Sequence, residues 1–269
     1  MRKGDTGSNV AALQRLLNTA GFKLVADGWF GDGTEAAVIA IQRRAGLVAD
    51  GVAGPKTLAA LSRRERDPRH LGERDLAAAA ERLGVPVAAI KAVNAVESRG
   101  TGFLEDGRPV ILYERHQAFR LLGEAGMPYD EACALAARYP ALISQQRGGY
   151  AGGSAEWARL ASACQVIDPA IARAACSWGL FQIMGYHAPR LGYASIDEFV
   201  AAMQRDEAAQ LDAFVRFIFA EPALHKALKA RKWETFAKLY NGPAYRENLY
   251  DVKLARAFER YTEPEEAAA

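Results

Sequence analysis

The 269-residue chain has no long apolar run and little net charge. No stretch approaches the roughly 18 apolar residues of a membrane span, and the polar opening MRKGDTGSNV lacks the features of a signal peptide. We therefore predict neither stable membrane insertion nor signal-directed export, and we expect the protein to fold in a reducing cytoplasm. A net charge of +2 argues against a dedicated nucleic-acid-binding protein.

Cysteine and histidine are also scarce. The three cysteines, Cys133, Cys164 and Cys176, follow no metal-ligand spacing, so we interpret them as reduced core residues. None of the four histidines has a second histidine four positions later, which disfavours a zinc hydrolase. We accordingly predict no metal and no cofactor. What is abundant is apolar sequence, 50% of the residues, which is enough for one large core or two smaller ones.

An internal repeat organises the first quarter of the chain. ADGWFGDGTEAAV at 26–38 returns as ADGVAGPKTLAAL at 49–61, and the copies share the spacing Asp-Gly-x-x-Gly-x-x-Thr. Each copy predicts a tight turn followed by a helix, with the threonine near the helix start. The preceding segment SNVAALQRLLNTAG has apolar residues at helical spacing, so we predict three short helices around a small core.

This pattern resembles the small peptidoglycan-binding domain that is attached to many cell-wall hydrolases. The resemblance predicts a three-helix peptidoglycan-binding domain over residues 1–62. Trp29 and Phe30, in the first turn of the repeat, are candidates to stack on a sugar of the wall. The alternative is that they belong to the core, where aromatic side chains of small domains are often found.

A charged segment separates this domain from the rest of the chain. Residues 63–72 combine charges with a proline and lack apolar periodicity, so we predict a linker there and a second domain over residues 73–269. Early in that domain, Val87, Ile90 and Val93 give a predicted helix an apolar stripe. Glu97 follows the stripe and is expected to point towards the interior.

A carboxyl group in this position is expected to have a raised pKa. Burial disfavours its charged form, and the negative end of the helix dipole does the same. A carboxyl group whose pKa lies near neutrality is suited to general acid catalysis. The alternative is a surface glutamate that closes the helix near Arg99.

A second motif, CSWGLFQIMGYH at 176–187, has a composition suited to carbohydrate binding. It combines the aromatic residues Trp178, Phe181 and Tyr186 with glycines and Gln182. We interpret the rings as apolar platforms for sugars and the amide as a partner for sugar hydroxyls. The alternative is that the segment belongs to the core.

A third motif, FAKLYNGPAY, ends a predicted helix on Tyr240 and Asn241, because the glycine and proline that follow stop the helix. In order along the chain, the three motifs resemble those of goose lysozyme and the soluble lytic transglycosylases. The stretch VESRGTGFLEDGRPVILYERHQAF at 96–119 is similar to the signature of the N-acetylmuramidase domain of modular phage endolysins. Those endolysins carry an N-terminal peptidoglycan-binding domain, so the resemblance covers nearly the whole chain.

The resemblance implies a mainly α protein. A three-helix peptidoglycan-binding domain would be linked to a lysozyme-like α+β catalytic domain with a small β lip. Carried over to this sequence, the resemblance makes Glu97 the catalytic acid and places Ser98, Gln182, Tyr240 and Asn241 in the substrate site.

The sequence leaves open which residue would supply the second catalytic carboxylate of such an enzyme. Glycosidases with two catalytic carboxylates hold them about 5 to 9.5 Å apart, and Glu105, Asp106 and Glu114 are the candidates. Glu105 and Asp106 fit a glycine-rich turn. Glu114 follows an apolar strand and either faces the cleft or pairs with Arg108 or Arg115. The resemblance also places Glu114 and His116 in the family signature, where they would support the β lip of the cleft. The alternative to two catalytic carboxylates is a single-acid mechanism, assisted by the N-acetyl group of the substrate or by a positioned water.

The implied activity is hydrolysis of the β-1,4 bond between N-acetylmuramic acid and N-acetylglucosamine in peptidoglycan, which lyses the host cell at the end of phage infection. One alternative is a related enzyme, a lytic transglycosylase that forms 1,6-anhydro ends. The other alternative is a wall-binding module without catalytic activity. We expect a monomer that stays in the host cytoplasm until a separate holin-type protein releases it to the periplasm and the cell wall.

Overall fold

The structure is a computed structural model that describes residues 1–63, 67–98 and 100–262. Part of the predicted linker lies outside the described residues, and so does Arg99, which the alternative interpretation of Glu97 invoked.

Helices account for most of the described chain. In chain order they are α1 (Ser8–Thr19), α2 (Asp32–Arg44), α3 (Pro55–Arg63), α4 (Glu73–Leu83), α5 (Val87–Glu97), α6 (Arg115–Glu124), α7 (Tyr129–Arg138), α8 (Ala155–Val166), α9 (Pro169–Ala174), α10 (Ile196–Arg205), α11 (Glu207–Phe219), α12 (Pro222–Lys229), α13 (Trp233–Asn241) and α14 (Tyr250–Thr262). Short 3-10 helices lie at Gly185–His187, Pro189–Leu191 and Pro243–Arg246. The predicted mainly α class is therefore confirmed.

A small sheet supplies the predicted β component. Its strands are β1 (Ile111–Tyr113), β2 (Cys176–Trp178) and β3 (Ile183–Met184). They pair antiparallel in the order β1-β2-β3. Glu114 directly follows β1, at the end of the strand that the apolar run predicted.

The chain divides into two compact units. The first contains Met1–Gly100 and Pro222–Ala269, and the second contains Thr101–Glu221. Helices α1 to α5 and α12 to α14 therefore belong to the first unit, while the sheet and α6 to α11 belong to the second. The predicted domains, residues 1–62 and 73–269, were defined from the order of motifs along the chain. Their bounds remain a prediction.

The first three helices enclose the small core that the repeat predicts. Positions three and four apart share one face of a helix, and it is these positions of α1 and α2 that are buried. The buried residues of this core are Val10, Leu13, Leu17, Phe30, Ala37, Val38, Ile41 and Ala53.

Each copy of the repeat is held by one buried glutamine. In the first copy, Gln14 Nε2 donates to Asp27 Oδ1 at 2.9 Å and to Thr34 Oγ1 at 3.2 Å, while its Oε1 accepts from the backbone N–H of Gly28 at 2.9 Å. The amide therefore joins the turn to the helix that follows it. The spacing Asp-Gly-x-x-Gly-x-x-Thr reflects this geometry, because the aspartate and the threonine are both partners of the same amide.

The second copy repeats the arrangement. Gln42 Nε2 donates to Asp50 Oδ1 at 2.6 Å and to Thr57 Oγ1 at 3.1 Å, and its Oε1 accepts from Gly51 N at 2.9 Å. Both glutamines are 2% exposed. Because a buried amide requires hydrogen-bond partners, each glutamine needs the residues of its turn in these positions.

Helix α5 positions the predicted catalytic acid. Helix α4 ends at Gly84, whose φ of 64° is the left-handed conformation common at helix ends, and α5 begins after Pro86. Helix α5 contacts α4 and α14 within the first unit. Ile90 and Val93 are buried, as the apolar stripe predicts, whereas Val87 at the start of the helix is 37% exposed. Glu97 is the last residue of the helix.

Candidate active site

Glu97 is half-buried at the end of α5. Ser98 ends the helix in an extended conformation, and its backbone N–H donates to Asn94 O at 3.2 Å. The Glu97 side chain accepts a hydrogen bond at Oε1 from Asn241 Nδ2 at 3.0 Å. The acid is thus fixed from two sides, by its own helix and by the end of α13.

Burial raises the pKa of Glu97 from 4.5 to about 7, although the hydrogen bond from Asn241 and the positive charge of Lys253 act in the opposite direction. This confirms the direction that the apolar stripe predicts. A group with this pKa is substantially protonated at neutral pH, so it is able to donate a proton to a departing oxygen.

Tyr240 and Asn241 end α13 beside this acid. Gly242, with a φ of 78°, directly follows the helix. The Tyr240 ring stacks on Phe236 with centroids 5.9 Å apart. Burial raises the pKa of Tyr240 well above its ordinary value, and the nearby Glu97 and Tyr250 add to the effect. The structure therefore brings Glu97, Tyr240 and Asn241 together from motifs more than 140 residues apart.

Gln182 lies in the second unit, in the turn between β2 and β3. Its Oε1 accepts from Ser177 Oγ at 2.9 Å, and its Nε2 donates to Gly179 O at 2.9 Å. The φ of 52° is uncommon for a residue other than glycine. The side-chain amide therefore holds its own turn together, and a contact with substrate remains a prediction.

Two of the three aromatic residues predicted as sugar platforms are core residues. Trp178 is 1% exposed and donates from Nε1 to Arg173 O at 3.1 Å. Phe181 is 3% exposed and stacks on Phe214 with centroids 4.6 Å apart. The prediction was wrong for both rings, because the short sheet needs large apolar side chains beneath it. Tyr186 is half-buried.

Glu114 has partners that the sequence did not indicate. The hydroxyl of Tyr150 donates to its two carboxylate oxygens at 2.9 and 3.1 Å, and His116 Nδ1 lies 3.1 Å from Oε2. The predicted pairing with Arg108 or Arg115 was wrong. Arg108 pairs with Asp106 instead, and Arg115 donates to backbone carbonyls.

The other two candidate carboxylates lie in the predicted turn. Asp106 accepts from the backbone N–H of Arg108 at 3.0 Å, and the Arg108 side chain holds the pKa of Asp106 below its ordinary value. Glu105 is exposed. Asp106 is therefore accounted for by turn geometry, as the glycine-rich sequence indicates.

Glu156 is a buried carboxylate that the sequence did not indicate, and it is 0% exposed. It accepts backbone hydrogen bonds from Tyr113 at 3.0 Å, from Ala151 at 2.6 Å and from Gly152 at 2.9 Å, and it pairs with Arg159. Burial raises the pKa of Glu156, but these bonds outweigh it and the net shift is downward. The only signal in the sequence was the glycine-rich QQRGGYAGGSAEW, whose backbone N–H groups need an acceptor.

The two residues proposed to contact the wall have opposite environments. Phe30 is 0% exposed in the core of the first three helices, so the prediction that it contacts the wall was wrong. A domain of this size buries a smaller share of its surface than a large one, so its large apolar side chains are needed in the core. Trp29 is 56% exposed, and its ring lies close to Gly31, where a Cβ atom would approach two ring atoms to 2.9 Å.

Within the described ranges, no group of three or more His, Cys, Asp or Glu side chains is placed to hold a metal ion. No helix within those ranges is long and apolar enough to cross a membrane.

Comparison with known proteins finds two matching families and a similar solved structure. The N-acetylmuramidase family matches residues 86–262, and a peptidoglycan binding domain family matches residues 6–61. The crystal structure of an endolysin from Burkholderia phage AP3 is 57% identical, with a TM-score of 0.90, and the match covers 97% of this chain and 98% of that chain.

Two curated relatives from Bacillus licheniformis match over a shorter region. A probable N-acetylmuramoyl-L-alanine amidase is 48% identical over 68 residues, or 24% of this chain and 19% of the amidase. The amidase CwlL is 41% identical over 80 residues, or 28% of this chain and 22% of the amidase. The matched region is thus about a fifth of the length of these curated relatives. Because the muramidase match spans more than half of the chain and the endolysin match nearly all of it, this protein belongs to the N-acetylmuramidase family and carries a peptidoglycan-binding domain before its muramidase domain.

Proposed function

We propose that this protein is a phage endolysin that hydrolyses the β-1,4 bond between N-acetylmuramic acid and N-acetylglucosamine and so lyses the host cell. The observation that carries the proposal is the half-buried Glu97, whose pKa of about 7 provides a proton at neutral pH. Family membership and the 57% identity to a protein described as a phage endolysin support it.

Glu97 acts first as the general acid. Its carboxyl proton passes to the glycosidic oxygen as the bond from that oxygen to the muramic acid C1 breaks, and positive charge develops on the sugar ring. The hydroxyl of a water molecule then forms the new bond at C1. The remaining proton of that water returns to the Glu97 carboxylate, which restores the acid for the next cycle.

Four further residues are proposed to bind the substrate: Ser98, Gln182, Tyr240 and Asn241. Asn241 also donates to Glu97, so it holds the acid in one orientation. Glu114 is proposed to support the site rather than to act as a nucleophile. Its carboxylate already accepts from Tyr150 and lies 3.1 Å from His116 Nδ1, and burial lowers the pKa of His116.

The N-terminal domain is proposed to hold the enzyme on peptidoglycan through Trp29, and no cofactor is needed. We further propose that the protein acts as a monomer. In this proposal it stays in the cytoplasm of the infected cell until a separate holin-type protein gives it access to the periplasm and the wall.

Mass analysis of the products tests the reaction. Purified sacculi digested with the protein should release muropeptides with reducing N-acetylmuramic acid ends, each heavier by one water than the 1,6-anhydro form. Anhydro ends would establish a lytic transglycosylase. An absence of any soluble product would establish a wall-binding module without activity.

A further inference from the structure

Gln210, near the start of α11, is a buried amide that joins separate segments of the second unit. The residue is 1% exposed. Its Oε1 accepts from the backbone N–H of Leu180 at 2.7 Å, and its Nε2 donates to Met203 O at 2.9 Å. The same Nε2 lies 3.4 Å from Gly102 O. Because the N–H group only donates and the two carbonyls only accept, these partners fix the orientation of the amide.

Two glycines leave room for this amide. A Cβ atom at Gly102 would overlap Gln210 Oε1, and a Cβ atom at Gly179 would lie 2.5 Å from Gln210 Cδ. Both approaches are closer than the about 3.5 Å of a favourable contact between carbon atoms. Gly102 lies in the segment that resembles the muramidase signature, and Gly179 lies in the motif at 176–187. The contact with Gln210 therefore explains why both motifs have glycine at these positions.

Leu180 connects this amide to Gln182. It lies in the turn between β2 and β3, two residues before Gln182. Gln182 has a φ of 52°, in the left-handed region that residues other than glycine rarely adopt. Such a conformation costs free energy, so it persists only where the surrounding structure holds it, and it is most common at functional sites. The hydrogen bond from Leu180 to Gln210 supplies part of this support.

The turn in its present form orients the side-chain amide of Gln182, which is half-buried. Nε2 donates to Gly179 O at 2.9 Å and lies 3.5 Å from Val110 O. Carbonyl oxygens only accept, so the nitrogen must be on this side, and Ser177 Oγ then donates to Oε1 at 2.9 Å. An amide oxygen accepts up to two hydrogen bonds, and the described residues supply one. The group that is left for a substrate is therefore an acceptor.

We propose that Gln210 is a positioning residue for substrate binding: it holds the turn between β2 and β3 so that Gln182 Oε1 accepts a hydrogen bond from an N–H or O–H group of the glycan. The proposal rests on the proposed function, in which Gln182 binds the substrate. The sugars of peptidoglycan carry acetamido N–H groups and hydroxyl groups, and both are donors. Gln210 itself does not contact the sugar, because its effect passes through Leu180.

The direct test is a double-mutant cycle on the affinity for a soluble tetrasaccharide of alternating N-acetylglucosamine and N-acetylmuramic acid. Binding is measured in the Glu97→Gln background, by NMR titration of the backbone amides of β2 and β3. Gln182→Ala and Gln210→Met should each weaken the affinity about tenfold, the loss of about 1.4 kcal/mol. The double variant should be no weaker than either single variant, because Gln210 acts through Gln182. Independent roles would instead give an additive loss of about a hundredfold.

Gln42→Met is the matched control. Gln42 is also a buried glutamine whose amide is bound at both ends, but it lies in the first unit. Its replacement should lower the melting temperature and leave the affinity at β2 and β3 unchanged. Gly102→Ala displaces the Gln210 amide by a second route and should weaken binding as Gln210→Met does, also if Gln210→Met fails to fold. The φ of Gly102 lies outside the left-handed region, so the added Cβ atom acts on the amide rather than on the backbone.

A further measurement needs no replacement at Gln210. The side-chain N–H₂ protons of Gln182 should exchange slowly with solvent in the wild type, because Nε2 is bound to a backbone carbonyl. Rapid exchange, an additive cycle, or a folded chain that does not bind the tetrasaccharide would overturn the positioning role. The proposed function fails separately. If sacculi release no soluble product while the cycle gives the expected result, the chain is not a hydrolase, yet Gln210 still positions Gln182.

Discussion

At the scale of single residues, the proposed chemistry depends on one carboxyl group and on the two polar groups that moderate its pKa. Burial raises the pKa of Glu97 to about 7, and Asn241 and Lys253 lower it. A fully isolated carboxyl group would hold its proton too tightly for efficient transfer, whereas an exposed one would lose it near its ordinary pKa of 4.5. The combination places the group where it is able to release and regain a proton.

Glu97→Gln should abolish lysis and stabilise the protein at alkaline pH. Because the folded-state pKa is raised, the protonated carboxyl stabilises the fold below about pH 4.5, and this contribution is lost as the pH rises through about 7. Glutamine has no proton to lose, so the variant should exceed the wild type by about 1 to 3 kcal/mol at pH 8 and match it near pH 4. Thermal melts across this range check the prediction, and residual activity above a small fraction would remove Glu97 from its role.

Asn241→Leu should raise the pKa of Glu97 further, because it removes the hydrogen bond to the carboxylate. Lys253→Met should act in the same direction by removing a positive charge. NMR titration of the Glu97 carboxyl carbon measures both shifts without turnover. Added salt should reduce the difference between wild type and Lys253→Met but not the difference caused by Asn241→Leu, since salt screens charges at an exposed lysine. A downward shift in either variant would contradict this account.

At the scale of secondary-structure elements, Glu156 connects the sheet to the glycine-rich segment before α8. It binds the backbone of Tyr113, next to Glu114, and the backbone of Ala151, next to Tyr150. The hydrogen bond between Tyr150 and Glu114 is therefore held at both ends by one buried carboxylate. A short strand and a glycine-rich loop have little packing of their own to fix this geometry.

Glu156→Gln should destabilise the protein by about 3 to 5 kcal/mol, as expected when one partner of a buried ion pair is lost. The glutamine also presents an N–H₂ group to backbone donors that need an acceptor. Chemical denaturation measures the loss. The control is Glu124→Gln, which removes an exposed ion pair with Arg120 and should cost less than about 1 kcal/mol; similar losses in both variants would refute the role of Glu156.

Glu114→Gln should reduce activity partially and lower the melting temperature. The amide retains one acceptor oxygen for Tyr150, but an N–H₂ group replaces the second carboxylate oxygen that accepts from the same hydroxyl. Tyr150→Phe removes only the hydroxyl and should have an effect of the same kind. Complete inactivity of Glu114→Gln with an unchanged melt would instead establish a two-carboxylate mechanism, because removing a catalytic carboxylate costs several orders of magnitude in rate.

At the scale of the whole molecule, the chain combines a wall-binding domain with a catalytic domain. The first three helices have their own core, which fits a separate family match over residues 6–61. They are also tied to the rest of the first unit, because Arg260 of α14 donates to Glu35 Oε1 at 2.9 Å and to the carbonyl of Asp50. The first three helices and the helix that carries Glu97 therefore belong to one compact unit.

Trp29→Ala should weaken sedimentation of the protein with insoluble peptidoglycan and leave its melting temperature nearly unchanged, since the ring is 56% exposed. Phe30→Ala should instead lower the melting temperature strongly, because deleting a buried phenylalanine costs about 3 to 5 kcal/mol. Val25→Ala, at a side chain that is 78% exposed, is the control for both measurements. Unchanged sedimentation of Trp29→Ala would exclude this ring as the contact with the wall.

The sequence alone determined the features that depend on local pattern. The repeat spacing specified two turn-helix copies, the apolar stripe of α5 predicted the raised pKa of Glu97, and the family resemblance carried the lysozyme-like class. Periodicity determines which face of a helix is buried, and burial raises the pKa of a carboxyl group.

Only the tertiary structure decided the partners of individual side chains. Glu114 meets Tyr150, 36 residues away, rather than its neighbours Arg108 and Arg115. Phe30 and Trp178 are core residues, although their motifs fitted a role in sugar binding equally well. The physical reason is that the sequence around an aromatic or acidic residue is alike whether the residue lies in a core or on a surface. Contacts between distant segments determine which environment it occupies, and periodicity carries no information about them.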